Sequence, residues 1–127
     1  SLGLLTINAL CAADRLLIPL QCEYYALEGI THLMRSFELV RKRLNPPLEL
    51  LGVVLTMFDQ RNKLSHQVET EVRSFFGGQV FTTVIPRNVR LSEAPSHGLP
   101  VIAYDYKSRG SQAYLQLGQE FVERIRA

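Results

Sequence analysis

Apolar residues recur along this chain in two rhythms. Leu27, Ile30, Leu33, Met34, Phe37, Val40 and Leu44 fall at helical spacing, with Glu28, Arg35, Glu38 and Lys42 between them, which predicts an amphipathic helix over 26–44. Asn45-Pro46-Pro47 ends it, because proline disfavours helical backbone in the residue before it. Residues 16–20 are short, wholly apolar and not alternating, as a strand covered on both faces is, and 48–57 give a second buried-looking strand centred on 51–57. A second helical stripe, Leu64, Val68, Val72, Phe75 and Phe76, follows Asn62, a suitable cap, and Gly77-Gly78 terminates it. Residues 79–85 predict a third strand. Residues 101–104 predict a fourth short strand or an extended segment, and 4–12 the last turns of a helix with Asn8 on its polar side. A final helix over 111–124 carries Tyr114, Leu117, Phe121 and Ile125 on one face. Gly29 weakens its helix by roughly 1 kcal/mol relative to Ala, which predicts a close packing contact near the helix start.

Strands alternating with helices predict βαβ units: an α/β fold with a parallel sheet and flanking helices. There is no internal repeat, linker or low-complexity segment, so residues 1–127 form one unit. Three strand ends, at 19–23, 56–61 and 86–90, then lie along one sheet edge, where open α/β sheets place their ligands. The stretch 83–98 is the focus of this edge. A β-branched run meets Pro86, which cannot donate a ladder hydrogen bond, and a loop follows with Arg87, Asn88 and Arg90. The Ser92-Glu93 pair is expected to open a helical turn there, closed by Pro95 and Gly98.

Composition narrows the class. Of the 127 residues, 46% are hydrophobic and 20% charged, which describes a globular chain rather than a disordered one. Asp14-Arg15, then Arg35 and Glu38, interrupt every apolar run well short of the roughly 18 residues a membrane span needs. Residues 1–13 lack a basic n-region and do not read as a secretory signal. They read as the end of something already in progress, as if the chain were cut from a longer one. Two isolated cysteines, Cys11 and Cys22, make no disulfide framework, and a reducing cytosolic setting is expected. His32, His66 and His97 have no metal-ligand spacing and read as structural or surface residues.

The residue types at the strand ends suit recognition more than bond-breaking. Thr56, Asn88 and backbone groups beside Pro86 can hydrogen-bond a flat heterocycle, and Met57 or Pro86 can lie against its face. On residue types alone the same rim reads equally as ordinary polar loops. No G-x-x-x-x-G-K-[ST] occurs, so the chain alone has no evident means of holding triphosphate and Mg²⁺ and is not expected to hydrolyse ATP. Arg61 and Lys63, Arg87 and Arg90, and Lys107 with Arg109 lie in separate loops that folding can gather into a phosphate-neutralising surface. Against this, a net charge of +2 suits solvated loop charge as well. Arg41-Lys42-Arg43 complements the dipole at a helix C-terminus. A serine hydrolase built on Ser92, Glu93 and His97 lacks the G-x-S-x-G elbow.

Four stretches carry a family resemblance: residues 1–10, Ser-Leu-Gly-Leu-Leu-Thr-Ile-Asn-Ala-Leu; 18–29, Ile-Pro-Leu-Gln-Cys-Glu-Tyr-Tyr-Ala-Leu-Glu-Gly; 55–61, Leu-Thr-Met-Phe-Asp-Gln-Arg; and 85–98, Ile-Pro-Arg-Asn-Val-Arg-Leu-Ser-Glu-Ala-Pro-Ser-His-Gly. Together they resemble the C-terminal half of the ParA/Soj chromosome-partitioning ATPases. The resemblance implies the C-terminal part of a deviant Walker-type P-loop NTPase fold, so that residues 1–127 are a single partial domain. It implies a cytoplasmic, nucleoid-associated protein whose ATP-dependent homodimer binds DNA without sequence preference and answers to a ParB-type partner. By the same resemblance Thr56, Met57, Pro86, Arg87 and Asn88 are the adenine-side, nucleotide-binding residues. Arg61 and Arg90 are the DNA-contacting arginines, and Glu23, Tyr24 and Tyr25 lie near the dimer face. The family's P-loop lysine, catalytic aspartate and Asp-x-Pro-Pro segment have no counterpart here. ATP and Mg²⁺ are therefore expected to bind the full-length protein and not this fragment tightly, and no catalytic residue is assigned.

Two other readings compete with the partition ATPase. One is a non-enzymatic module that binds DNA or a partner through the Arg61 and Arg90 face. The other is a MinD-like cell-division ATPase, against which the last helix speaks, since its stripe is core-like and not membrane-targeting. Self-association of the fragment is also expected, because a missing half leaves sheet edges and helix faces uncovered.

Overall fold

A computed structural model describes residues 3–127. Two parallel strands, β1 (Arg15–Gln21) and β2 (Glu49–Thr56), are paired in register from Arg15↔Glu49 to Gln21↔Thr56, with one irregularity between Leu16 and Leu17. The crossover between them is α2 (Ala26–Arg43), and α1 (Leu4–Ala12) precedes β1. After β2 come α3 (Lys63–Phe76), a 3₁₀ turn (Gly77–Gln79) and an extended segment. The short helix α4 (Val89–Glu93), a 3₁₀ turn (Ala94–His97), the single-turn helix α5 (Val101–Tyr104) and α6 (Arg109–Arg126) complete the chain. The α/β class with a parallel sheet is as the sequence predicts.

Alternation along the strands builds a core on each face of the sheet. Ile18, Val53 and Leu55 point to one side, where Ala26 and Ile30 of α2 and Val68 and Val72 of α3 cover them. Leu17 and Val54 point to the other, against Ala113, Leu117 and Phe121 of α6. A third cluster, Leu10, Phe37, Val40 and Leu48, joins α1 to α2. Asn45 completes that joint by donating its side-chain amide to the carbonyls of Leu10 (2.9 Å) and Ala13 (2.8 Å) at the end of α1. Among the described residues β1 pairs with β2 along one edge, and Pro19, which has no N–H, lies within it opposite Val54.

Several sequence expectations need correction. Residues 79–85 run beside β2 but make isolated bridges rather than a strand: Phe81 donates to Val53 O at 2.8 Å and Ile85 to Leu55 O at 2.9 Å. The N–H groups of Thr82 and Thr83 between them turn instead to the Glu120 carboxylate. Residues 101–104 are helical, not extended, since the Pro100 carbonyl accepts from both Ala103 and Tyr104. The turn after the third segment starts at Asn88, whose side chain accepts from Arg90 N–H, and Ser92-Glu93 lie at its end. Phe75 is 70% exposed, so the buried stripe of α3 stops at Val72, with Phe76 packed beside it. On α6 the buried side is Ala113, with Leu117 and Phe121, while Tyr114 and Ile125 face outward. Gly29 has no close neighbour: a Cβ placed there meets nothing within 4 Å.

Candidate functional site

The ends of β1, β2 and the extended segment lie side by side. Gln21 pairs with Thr56, and Cys22 N–H donates to Thr56 O at 3.0 Å. Phe58 bridges Pro86: its N–H donates to Ile85 O at 3.1 Å, and Arg87 N–H returns to Phe58 O at 2.9 Å. These bonds join Thr56 and Met57 to Pro86, Arg87 and Asn88, so the five residues singled out as the adenine side form one contiguous rim. Met57 has φ of 54°, the left-handed region that a non-glycine residue seldom adopts, and it does so between the end of β2 and the Phe58 bridge. Nothing in its residue type signalled that strain. Asn88 spends its Oδ1 on the cap of α4 and keeps its amide N–H groups for other partners.

Arg61 stands on a turn built by its neighbours. Asp59 accepts from Arg61 N–H at 3.0 Å, Asn62 N–H donates to Asp59 O, and the Ser65 hydroxyl accepts from Asp59 N–H at 3.1 Å. The backbone is thus fixed while the guanidinium, 93% exposed, approaches Asp59 no closer than 3.6 Å. Arg90 differs. Its Nη1 donates to Glu93 at 3.1 Å and its Nε lies 3.2 Å from Asp105, two carboxylates that push its pKa up, Glu93 more than Asp105. Tyr104 donates its hydroxyl to Glu93 at 2.9 Å, which raises the phenol's pKa. The Arg90–Glu93 pair follows from i,i+3 spacing on a helix, whereas Asp105 carries no local sign of its role.

Beside the rim, a cleft of about 510 Å³ is lined by Phe58, His66, Glu69, Pro86, Arg109 and Gln112. His66 is turned edge-on to Phe58, with centroids 5.1 Å apart, and its Nε2 lies 2.8 Å from Gln60 O. Following β1, Glu23, Tyr24 and Tyr25 are all exposed, the two tyrosines 76% and 67%, and their rings meet edge to face at 5.0 Å. Tyr25 also borders a cavity of about 870 Å³, with Leu27, Glu28, His32 and Arg35. Among the described residues, no cluster of three or more His, Cys, Asp or Glu side chains is placed to hold a metal ion, and no helix is long and apolar enough to cross a membrane.

The AAA domain family model matches residues 1–50. The chromosome partitioning protein ParA of Caulobacter vibrioides is 60% identical over 126 residues, 99% of this chain and 47% of its own. The sporulation initiation inhibitor protein Soj of Bacillus subtilis is 59% identical over 94% of this chain and 47% of its own. The chromosome-partitioning ATPase Soj of Thermus thermophilus is 50% identical over 98% and 50%. The chain thus spans about half the length of the curated relatives it matches. Among solved structures, cobyrinic acid a,c-diamide synthase from Mycobacterium smegmatis with bound ADP and magnesium superposes with a TM-score of 0.76 at 31% identity, over 100% of this chain and 44% of that one. Along nearly its whole length, then, the chain is similar to the ParA and Soj chromosome-partitioning proteins, of which it spans about half.

Proposed function

We propose that this chain is the base-binding and DNA-facing part of a partition ATPase, cytoplasmic and nucleoid-associated. The complete protein would dimerise on ATP, hold DNA without sequence preference and hydrolyse ATP under the influence of a ParB-type partner. The observation that carries this reading is the rim formed where the Phe58–Pro86 bridge joins the end of β2 to the extended segment, in a chain 60% identical to a partitioning protein.

The residues present fit the base end of a nucleotide. Pro86 and Met57 supply an apolar surface, and Thr56, Asn88 and nearby backbone groups supply hydrogen bonds to a heterocycle. Arg87, exposed at the same rim, supplies positive charge. The phosphate end has no glycine-rich loop or P-loop lysine here, so triphosphate and Mg²⁺ would be held by other segments of the complete protein. Arg61 and Arg90 would contact DNA phosphates, and Glu23, Tyr24 and Tyr25 would lie against the second protomer.

ATP hydrolysis by the intact protein tests this, measured with and without duplex DNA and the ParB-type protein, beside the 127-residue chain. Turnover by the intact protein, stimulated by those partners and absent from the short chain, is the expected result. An intact protein that binds DNA but neither binds nor hydrolyses ATP would replace this reading with the non-enzymatic module.

A further inference from the structure

The Arg90 side chain is 50% exposed, yet two of its three guanidinium nitrogens face carboxylates. Nη1 donates to Glu93 Oε1 at 3.1 Å, and Nε pairs with Asp105 Oδ2 at 3.2 Å. Glu93 is fixed in turn, for Tyr104 donates its hydroxyl to Oε2 at 2.9 Å and stacks its ring on His97 with centroids 4.7 Å apart. Glu93 ends α4 and Asp105 follows α5, so the cluster ties the two short helices together around one arginine.

A guanidinium grips a phosphate bidentately through one of two forks, Nη1/Nη2 or Nε/Nη2. In this cluster Nη1 donates to Glu93 and Nε lies within ion-pair distance of Asp105, so each fork has one nitrogen beside a carboxylate, while Nη2 has no partner among the described residues. Two carboxylates also surround one guanidinium, so a phosphate reaching Arg90 meets repulsion as well as attraction.

We propose that Glu93 and Asp105 are positioning residues for phosphate contact, which hold Arg90 ready but compete with the DNA backbone for its guanidinium. The arrangement moderates DNA affinity and favours release. This inference rests on the reading of Arg90 as a DNA contact.

The experiment is fluorescence anisotropy of the intact, ATP-loaded protein on random-sequence duplex at several salt concentrations. Asp105→Asn and Glu93→Gln preserve shape, and the backbone bonds of Asp105, to Val101 O at 2.8 Å and from Ser108 N–H at 3.1 Å, do not involve its carboxylate. Arg90→Ala is expected to weaken binding and to reduce the salt slope by about one. Each carboxylate variant is expected to bind about two- to fivefold more tightly, the scale of one exposed ion pair. That gain should vanish when Arg90→Ala is added. If Arg90→Ala changes neither affinity nor slope, the DNA-contact reading falls and the inference with it. If it weakens binding while both carboxylate variants bind no more tightly than wild type, the contact stands and the moderating role is overturned. A gain of equal size in the Arg90→Ala background would also overturn it, because general charge would then suffice.

Discussion

Glu120 on α6 accepts the backbone N–H of Thr83 at 2.8 Å, and its second oxygen accepts Thr82 N–H at the same distance. A helix side chain thus takes the place of a neighbouring strand along residues 79–85. Arg124, one turn on, pairs with Glu120 at 3.0 Å, donates to Gly78 O and Val80 O, and lies over the Phe81 ring at 4.2 Å. The pair fastens the segment that ends in Pro86 to the sheet. Glu120→Gln is expected to cost about 1–3 kcal/mol in chemical denaturation, because two N–H groups lose a charged acceptor.

The same clamp has a pH signature. Partial burial pushes the Glu120 carboxyl up, but the hydrogen bonds from Thr83, Thr82 and Arg124 outweigh it and hold the pKa below the usual 4.5. A carboxylate with a depressed folded-state pKa contributes stability that is fully present above its unfolded value and lost as pH falls through the folded one. The stability difference between wild type and Glu120→Gln should therefore be constant above pH 4.5 and shrink on further acidification. Denaturation curves across that range check it.

Glycines at 29 and 52 should respond with opposite signs. At Gly52 a Cβ would lie 2.5 Å from Gln79 O and 2.6 Å from the Phe81 ring, so Gly52→Ala forces the third segment away from β2. A loss of about 1–3 kcal/mol is expected from such overpacking. At Gly29 the added methyl meets nothing within 4 Å, and the helix gains from Ala. Gly29→Ala should stabilise the fold by about 0.5–1 kcal/mol in the same denaturation assay.

Cys22 should be inert in the native state. Its thiol is buried at the end of β1, and burial, aided by the negative charge of Glu69, pushes its pKa up to about 11. The thiolate is the reactive form, so labelling by an alkylating reagent at pH 8 is expected to be slow until the protein is unfolded. Mass mapping of the labelled cysteines distinguishes this from rapid native-state labelling.

The legibility of this fold in its sequence follows from where each element finds its partners. The helix at 26–43, the two apolar strands and the Asn62-capped helix declare themselves through local periodicity and capping, and they form as expected. Residues 79–85 misled because the N–H groups of Thr82 and Thr83 go to Glu120, a side chain whose role local pattern does not reveal. Residues 101–104 misled because four apolar residues are too few to separate a strand from a helical turn, and the Pro100 carbonyl decides for the turn. At the candidate site, the adjacency of strand ends was legible from βαβ alternation. The left-handed Met57 and the Asp105 partner of Arg90 were not, since both are set by tertiary placement.

The most direct measurement is DNA retention by the intact, ATP-loaded protein carrying Arg61→Glu and Arg90→Glu together, beside its nucleotide affinity. The partition-ATPase account predicts that DNA retention is lost while ATP binds as before. Unchanged DNA affinity would contradict it, for the strand-end face would then not be where this protein meets DNA.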